Sequence, residues 1–424
     1  MKVVIINKSD AIGGAAIVSR RLMEALRMEG VDAGMLVVDR QTDSPDVHLA
    51  SSRAAIRVPF LAERLKIFAA NGFNRQDLFK VDTASDGLPL DRHPLVREAD
   101  VICLNWVNQG MLSLRGLKRL LDLGKPVVWT MHDMWNMTGI CHHAGECDGW
   151  QSHCGNCPLL GARASKGDLS ARVHRRKANI YQGDLMGEGR LHFVPVSNWL
   201  AEHARRSSLL AGMPISVIAN AFPVPNGMPE HVGGGDKFNI VMGAARLDDP
   251  VKGLPILVEA TRILAARYPE EASGMRLTTF GTLRDPEALA GVAIEHHHLG
   301  RISGEENVRD VYCHGDAVVS TSLYETLPGT LVEGQVYGCV PVSFGRGGQP
   351  DIVDHLATGY LAEWDDDIVT AAGNIAAGMV AARRMAGEET RRRMYQSAAR
   401  RFAAPVIARK YIDLFERLLR ESKR

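Results

Sequence analysis

The chain has 424 residues, a hydrophobic content of 46%, a charged content of 23% and a formal net charge of +1. This length predicts two domains, and the near-zero charge gives no reason to expect nucleic acid as a partner. The sequence opens in a predicted strand without a signal-peptide pattern, and no apolar run approaches the roughly 20 residues that span a bilayer. We therefore expect a cytoplasmic protein, with peripheral contact at the inner face of the membrane as an open alternative.

The first predicted unit is a strand, a glycine-containing loop and a helix. Strand Lys2–Ile6 leads into a loop with Gly13 and Gly14, which let a ligand approach the backbone closely because they lack a Cβ. The three-glycine spacing of a dinucleotide-binding loop is absent. With the strands that follow, this pattern predicts an N-terminal Rossmann-like domain over residues 1–224.

The segment Ile56–Phe68 is apolar on one side, with Arg57, Arg64 and Lys66 interspersed. One interpretation is an amphipathic segment that lies near an acceptor or on an anionic membrane surface. The commoner alternative is a helix packed on its domain with its cations in solvent.

His132 and Asp133 follow the predicted buried strand Pro126–Thr130. In open α/β sheets ligands bind beyond the carboxyl ends of the strands. His132 is therefore a candidate active-site residue.

A cysteine-rich loop occupies residues 138–158. Its thiols are Cys141, Cys147, Cys154 and Cys157. Four thiolates could hold a tetrahedral zinc ion, with His142, His143 and His153 as substitute ligands. Such a site would be structural because it leaves no open position for catalysis. Unliganded thiols and a redox pair are the alternatives.

A segment rich in glycine and proline, residues 223–235, predicts a linker to a second Rossmann-like domain over residues 236–402. Arg246 and Lys252 lie in the loop after its first strand. Two fixed cations at a strand end could neutralise a departing diphosphate. Without a ligand they would be ordinary surface charges.

Two acidic residues flank a predicted helix start in this second domain. Glu325 follows the strand Ala317–Ser320, the helix opens near Pro328, and Glu333 lies inside it. A helix start offers unpaired N–H groups and a positive dipole end to an anion. The arrangement predicts a ligand with both hydroxyl and phosphate groups.

The stretch from Glu325 to Glu333, continued by Gly338, Pro341 and Val342, resembles the motif of retaining glycosyltransferases of family 4. Other segments add to the resemblance. The Arg246–Gly253 loop resembles the donor-phosphate motif of that family. The cysteine-rich loop resembles a segment found in a subgroup of family 4 enzymes, those of colanic-acid and exopolysaccharide pathways.

The resemblance implies a fold and a set of site residues. The fold is α/β of the GT-B class: two facing Rossmann-like domains, a central cleft and a last helix, residues 403–424, that packs back on the first domain. The implied catalytic residues are His132 and Glu325. The implied donor-binding residues are Gly13, Gly14, Arg246, Lys252, Leu327, Pro328, Gly329, Thr330 and Glu333.

The implied reaction is retaining, metal-independent transfer of a sugar from a nucleotide-diphosphate donor to a saccharide or lipid-linked acceptor, in bacterial polysaccharide biosynthesis. In this scheme Glu333 holds the ribose hydroxyls and Glu325 the transferred sugar. A sugar-nucleotide epimerase of the same architecture and a non-catalytic scaffold with a zinc knuckle are the alternatives. A glycosidase ranks last, because the two glutamates are better placed along one donor than opposed across a scissile bond.

Overall fold

A computed structural model describes residues 1–75 and 78–422. The chain forms two compact units. The first comprises Met1–Ala221 and Ala404–Arg424, and the second comprises Phe222–Ala403. The C-terminal helix, Ala404–Glu421, therefore belongs to the first unit although it follows the second in sequence.

In the described residues of the first unit, the core element is a parallel six-stranded sheet with strand order β3-β2-β1-β4-β5-β6. Its strands are β1 (Lys2–Ile6), β2 (Asp32–Val37), β3 (Val47–Leu49), β4 (Val101–Leu104), β5 (Val127–Met131) and β6 (Leu191–Pro195). The helices are α1 (Gly14–Met28), α2 (Arg53–Ala70), α3 (Pro94–Glu98), α4 (Leu114–Leu121), α5 (Leu169–Met186) and α6 (Asn198–Arg206). Short 3-10 helices cover Leu90–Arg92, Trp135–Met137, Gly149–Gln151 and Pro158–Arg163.

The C-terminal helix completes the core of the first unit. Phe415 and Tyr411 are buried in one apolar cluster with α1 and the sheet, and Tyr411 Oη lies 2.9 Å from Thr130 Oγ1 at the end of β5. These residues recur every three to four positions, which places them on one helical face. The helix is therefore an integral part of this unit.

The second unit repeats the same topology. Over its residues, all of which the structure describes, a parallel six-stranded sheet has the order β12-β11-β10-β7-β8-β9. Its strands are β7 (Phe238–Arg246), β8 (Met275–Thr282), β9 (Glu295–His298), β10 (Ala317–Ser320), β11 (Val340–Phe344) and β12 (Tyr360–Ala362). The helices are α7 (Leu254–Arg267), α8 (Pro269–Ser273), α9 (Glu305–Cys313), α10 (Gly329–Val336), α11 (Ile368–Met385) and α12 (Glu388–Phe402). The 3-10 helices are Pro250–Lys252, Pro286–Leu289 and Gln349–Asp351.

Each sheet reverses its strand order at one point, between β1 and β4 in the first unit and between β7 and β10 in the second. The loops that leave two such strands turn to opposite faces of the sheet and leave a crevice at the carboxyl ends. The prediction of two Rossmann-like α/β domains is confirmed by these two sheets. The topology also says where in each unit a ligand site is expected.

The segment Ile215–Asn220, predicted from its apolar pattern to be a strand end, forms no regular strand. Ser216 N–H donates to Phe193 O at 3.0 Å, and an isolated bridge joins Phe193 to Ile215. Among the described residues no helix combines the length and apolar character needed to cross a membrane.

Replacing Phe415, which is fully buried, by alanine should lower the free energy of unfolding of the first unit by roughly 3–5 kcal/mol, because a large cavity opens in its core. Urea denaturation followed by tryptophan fluorescence measures the change. Arg420→Ala on the exposed side of the same helix is the control and should change it by less than about 0.5 kcal/mol. Equal effects of the two variants would mean that the C-terminal helix does not pack into the core of the first unit.

Candidate active site

In the second unit, the loop after β7 is fastened to the chain that leaves β10. Leu323 N–H donates to Val251 O at 2.8 Å, and Thr321 Oγ1 donates to Lys252 O at 3.0 Å. Gly253 has a φ of 64°, and a Cβ built there would lie 2.1 Å from Thr321 O. Only glycine permits this approach, so the turn directs Lys252 toward the end of β10.

This turn brings together two residues predicted from separate motifs. Lys252 Nζ donates to Glu325 Oε1 at 2.6 Å, with the two side chains 32% and 18% exposed. The ion pair lies beyond the carboxyl ends of the neighbouring strands β7 and β10. It therefore marks the point where the strand order of this sheet reverses.

The backbone of Glu325 is held by the glycine-rich loop after β11. Gly348 N–H donates to Glu325 O at 2.9 Å. Gly347 has a φ of 62°, and a Cβ there would lie 2.5 Å from the same oxygen. A residue other than glycine at position 347 would displace Glu325.

The structure gives Arg246 a different partner. Arg246 is the last residue of β7, and its Nη2 lies 2.8 Å from Asp249 Oδ2 in the loop that follows. The two cations predicted to act together thus form separate ion pairs, Arg246 with Asp249 and Lys252 with Glu325.

Helix α10 begins four residues after Glu325. Pro328 is its N-cap, and within this described segment no side chain caps the helix start. Leu327 and Pro328 are buried, whereas the other predicted donor residues of this segment are half-buried. These are Gly329, Thr330 and Glu333. The positive end of the helix dipole therefore follows Glu325 closely in sequence and suits an anion.

In the first unit, His132 comes directly after β5. Its Nε2 lies 2.9 Å from Asn105 Oδ1, at the end of the neighbouring strand β4. Burial lowers the pKa of His132 to about 4, against the opposing charge of Asp133. His132 is therefore a neutral imidazole at physiological pH and is oriented by Asn105.

The glycines of the first loop lie at the start of α1. Gly13 is the N-cap with a φ of 90°, and Gly14 is the first helical residue. A Cβ built at either position would have no described atom within 4 Å. The positive φ explains the glycine at 13, and the surrounding space is open to a ligand.

Asp133, the residue after His132, belongs to a buried network of charged side chains that the sequence did not predict. His142 Nδ1 lies 2.7 Å from Asp133 Oδ2, and its Nε2 lies 2.7 Å from Asp82 Oδ2. Burial alone would lower the pKa of His142, but the two carboxylates outweigh it and raise that pKa to about 10. Asp82 also pairs with Arg64 of α2. His142 is thus an imidazolium that bridges two carboxylates.

Lys177 supports the same loop from α5. Its Nζ donates to Trp135 O at 2.6 Å and to Thr138 O at 3.0 Å, and lies 3.2 Å from the centroid of the Trp135 ring. The side chain is fully buried, and burial lowers the pKa of Lys177 to about 7. No local sequence pattern marks either Lys177 or His142, because both act through partners that are distant in sequence.

The prediction of a structural zinc ion is not supported. Within residues 1–75 and 78–422, no three side chains of His, Cys, Asp or Glu are arranged to hold a metal. The four thiols do line one cavity of about 20 Å³ and are unbridged: Cys141, Cys147, Cys154 and Cys157. Burial raises the pKa of Cys141 to about 12 and that of Cys154 to about 11. Burial thus favours the neutral form of these two thiols, and His142, considered as a substitute ligand, is bound to carboxylates instead.

Comparison with known proteins agrees with the fold. Residues 239–377 match the family model described as "Glycosyl transferases group 1". A 93-residue segment is 30% identical to the "Putative colanic acid biosynthesis glycosyl transferase WcaC" of Escherichia coli K12. That segment spans 20% of this chain and 20% of the relative.

Two of the similar solved structures align over nearly the whole chain. The pneumococcal O-GlcNAc transferase GtfA in complex with UDP and GlcNAc aligns with a TM-score of 0.65 at 11% identity, over 99% of both chains. Anabaena Alr3699/HepE in complex with UDP-glucose aligns with a TM-score of 0.59 at 15% identity, over 98% of this chain and 100% of that one. These likenesses show the fold, which is that of the GT-B glycosyltransferases.

Replacing His142 by glutamine should destabilise the first unit by roughly 3 kcal/mol, because it removes the cation that pairs with buried Asp133 and one of the two that pair with Asp82. The pKa of His142 is raised on folding, so its contribution is complete below about pH 6.5 and is lost as the pH rises toward about 10. The difference in urea midpoint between wild type and His142→Gln should therefore shrink from pH 6 to pH 10.

His297→Gln is the control, since His297 is 58% exposed on the edge strand β9. Its midpoint should follow that of the wild type at each pH. A His142→Gln difference that stays constant across this range would mean that the imidazole is not charged in the native protein.

Proposed function

We propose that the protein is a GT-B glycosyltransferase that transfers a sugar from a nucleotide-diphosphate donor. The observation that carries the proposal is the Lys252–Glu325 ion pair beside the start of α10, at the strand reversal of the second sheet. The same segment lies inside the region that matches the glycosyltransferase family. The complexes of GtfA with UDP and of HepE with UDP-glucose support a nucleotide sugar as the donor.

The residues suggest how the chain acts on such a donor. A leaving diphosphate gains charge in the transition state, and preorganised cations and helix N–H groups stabilise it. Lys252 and the uncapped start of α10 supply both in this unit. Glu325 holds Lys252 in place and accepts hydrogen bonds from the sugar, while Glu333 binds the ribose. Arg246 acts as a second cation when the diphosphate draws it away from Asp249.

The first unit has candidate ligand-binding residues of its own, a neutral imidazole and a glycine loop. His132, kept uncharged by burial, donates or accepts a hydrogen bond with a sugar hydroxyl without adding charge. Gly13 and Gly14 let the ligand approach the backbone. His142 and Asn105 act as positioning residues for the His132 loop and do not touch the ligand.

The finer assignments belong to the same proposal. We place the protein in family 4 with retention of anomeric configuration, without a catalytic metal, and with a saccharide or lipid-linked saccharide as acceptor. The short similarity to WcaC supports a role in polysaccharide biosynthesis.

Replacing Lys252 by methionine should lower kcat by about 100-fold or more, since it removes a cation that acts on the leaving group. Stability should change by less than about 1 kcal/mol, because the ion pair is partly exposed. Steady-state kinetics and urea denaturation measure the two effects.

The chain offers a matched control in the same sheet. Lys237 and Glu295 form a pair of the same length, 2.6 Å, beside the amino ends of β7 and β9. Lys237→Met should leave kcat unchanged. Equal losses in both lysine variants would contradict the role given to Lys252.

Incubation with a panel of sugar nucleotides and lipid-linked saccharides, followed by mass spectrometry, tests the reaction itself. The proposal expects an acceptor that gains the mass of one sugar, with the α-configured donor giving an α-linked product by NMR. Epimerised sugar nucleotide formed without acceptor would identify the epimerase alternative. Cellular polysaccharide that is unchanged in a Glu325→Gln strain would favour the scaffold.

A further inference from the structure

Helix α2 buries two charged residues, Glu63 and Arg64, on its inner side. Its buried positions are Pro59, Glu63, Arg64 and Ile67. A helix on a protein surface ordinarily buries its apolar face and exposes its charges. Helix α2 departs from this pattern, because Glu63 and Arg64 are buried while Val58, Leu61 and Leu65 are exposed.

Polar contacts hold α2 in this orientation. Glu63 Oε1 accepts hydrogen bonds from Thr83 N at 2.9 Å and from Ala84 N at 2.7 Å. Arg64 pairs with Asp82 and donates to Leu78 O at 2.7 Å. The expectation that Arg64 would be solvated was wrong, because its guanidinium is part of the buried network that includes His142.

The outer side of α2 carries large apolar side chains. Val58, Leu61 and Leu65 are 68%, 55% and 65% exposed and share one helical face. Two exposed aromatic residues adjoin α2: Phe73, 69% exposed, packs edge-on against Phe68, and Phe79, 61% exposed, lies under Arg64. We call these five exposed residues the α2 patch: Val58, Leu61, Leu65, Phe73 and Phe79.

Cations accompany the α2 patch. Arg53, Arg57, Arg75 and Lys80 are exposed in the same segment. Residues 53–75, all of which the structure describes, contain one acidic residue, Glu63, and its side chain is buried. Lys66 pairs with Asp86, and Asp77 lies outside the described residues. The exposed side of this segment therefore combines large apolar side chains with net positive charge.

We propose that the α2 patch is a docking surface for a bilayer that contains anionic lipid. Leucine and phenylalanine side chains insert at the boundary between headgroups and acyl chains, and flanking arginines pair with the lipid phosphates. A protein partner would explain the apolar face but not the one-sided excess of cations. The proposal does not depend on the transfer reaction, because the patch shares no residue with the proposed active site.

Flotation of the full-length chain with vesicles tests the proposal. Phosphatidylcholine vesicles that contain about 30% phosphatidylglycerol should carry the wild type upward, and pure phosphatidylcholine should bind it more weakly. Leu61→Ser/Leu65→Ser should weaken binding by at least about tenfold through lost insertion. Arg53→Glu/Arg57→Glu should abolish the preference for anionic lipid.

The matched control is Met28→Ser/Met186→Ser, which removes two residues that are 80% and 83% exposed on α1 and α5. It should bind vesicles like the wild type, and all variants should keep the wild-type unfolding midpoint. Wild-type protein that stays in solution with both vesicle types would overturn the proposal. A Leu61→Ser/Leu65→Ser variant that binds vesicles normally would also overturn it. The same holds if sedimentation shows that a second copy of the chain covers the α2 patch.

Discussion

The feature on which the proposed donor site depends is the adjacency of β7 and β10 in one parallel sheet. It brings Lys252 and Glu325, 73 positions apart, to a separation of 2.6 Å. The contact requires Gly253, whose turn passes against the backbone at Thr321, and Gly347, which passes against Glu325. A motif that looks like two separate charged loops in sequence is thus one rigid arrangement in the fold. Rigid placement of charge is what stabilisation of a leaving diphosphate needs.

Much of this arrangement could be predicted from local pattern. Short apolar runs that end in glycine loops indicated two α/β domains, and the sheets confirm them. The positions of His132 and Glu325 after strands followed from the same pattern. The contact between Lys252 and Glu325 was not predictable without strand order, because it depends on which strands become neighbours. Their roles toward a ligand remain proposals.

The failures have a common physical origin. Arg64 was expected in solvent and His142 was considered as a metal ligand, yet both belong to one buried network with Asp82. Periodicity shows that a helix has two faces but not which face turns inward, and α2 turns Glu63 and Arg64 inward. Likewise, the spacing of the four cysteines is typical of zinc sites, but ligand geometry depends on loop conformation that the spacing does not determine. Long-range polar contacts are where pattern-based reasoning is weakest.

The central claim is that the second unit binds a nucleoside diphosphate through Lys252 and the start of α10. Isothermal titration of the full-length chain with uridine, guanosine and adenosine diphosphates tests it most directly, with Lys252→Met and Lys237→Met measured in parallel. The account predicts that one of the three nucleotides binds, that Lys252→Met weakens it by about tenfold or more, and that Lys237→Met leaves it unchanged. Binding that is equally strong in both variants, or absent for all three nucleotides, would contradict it.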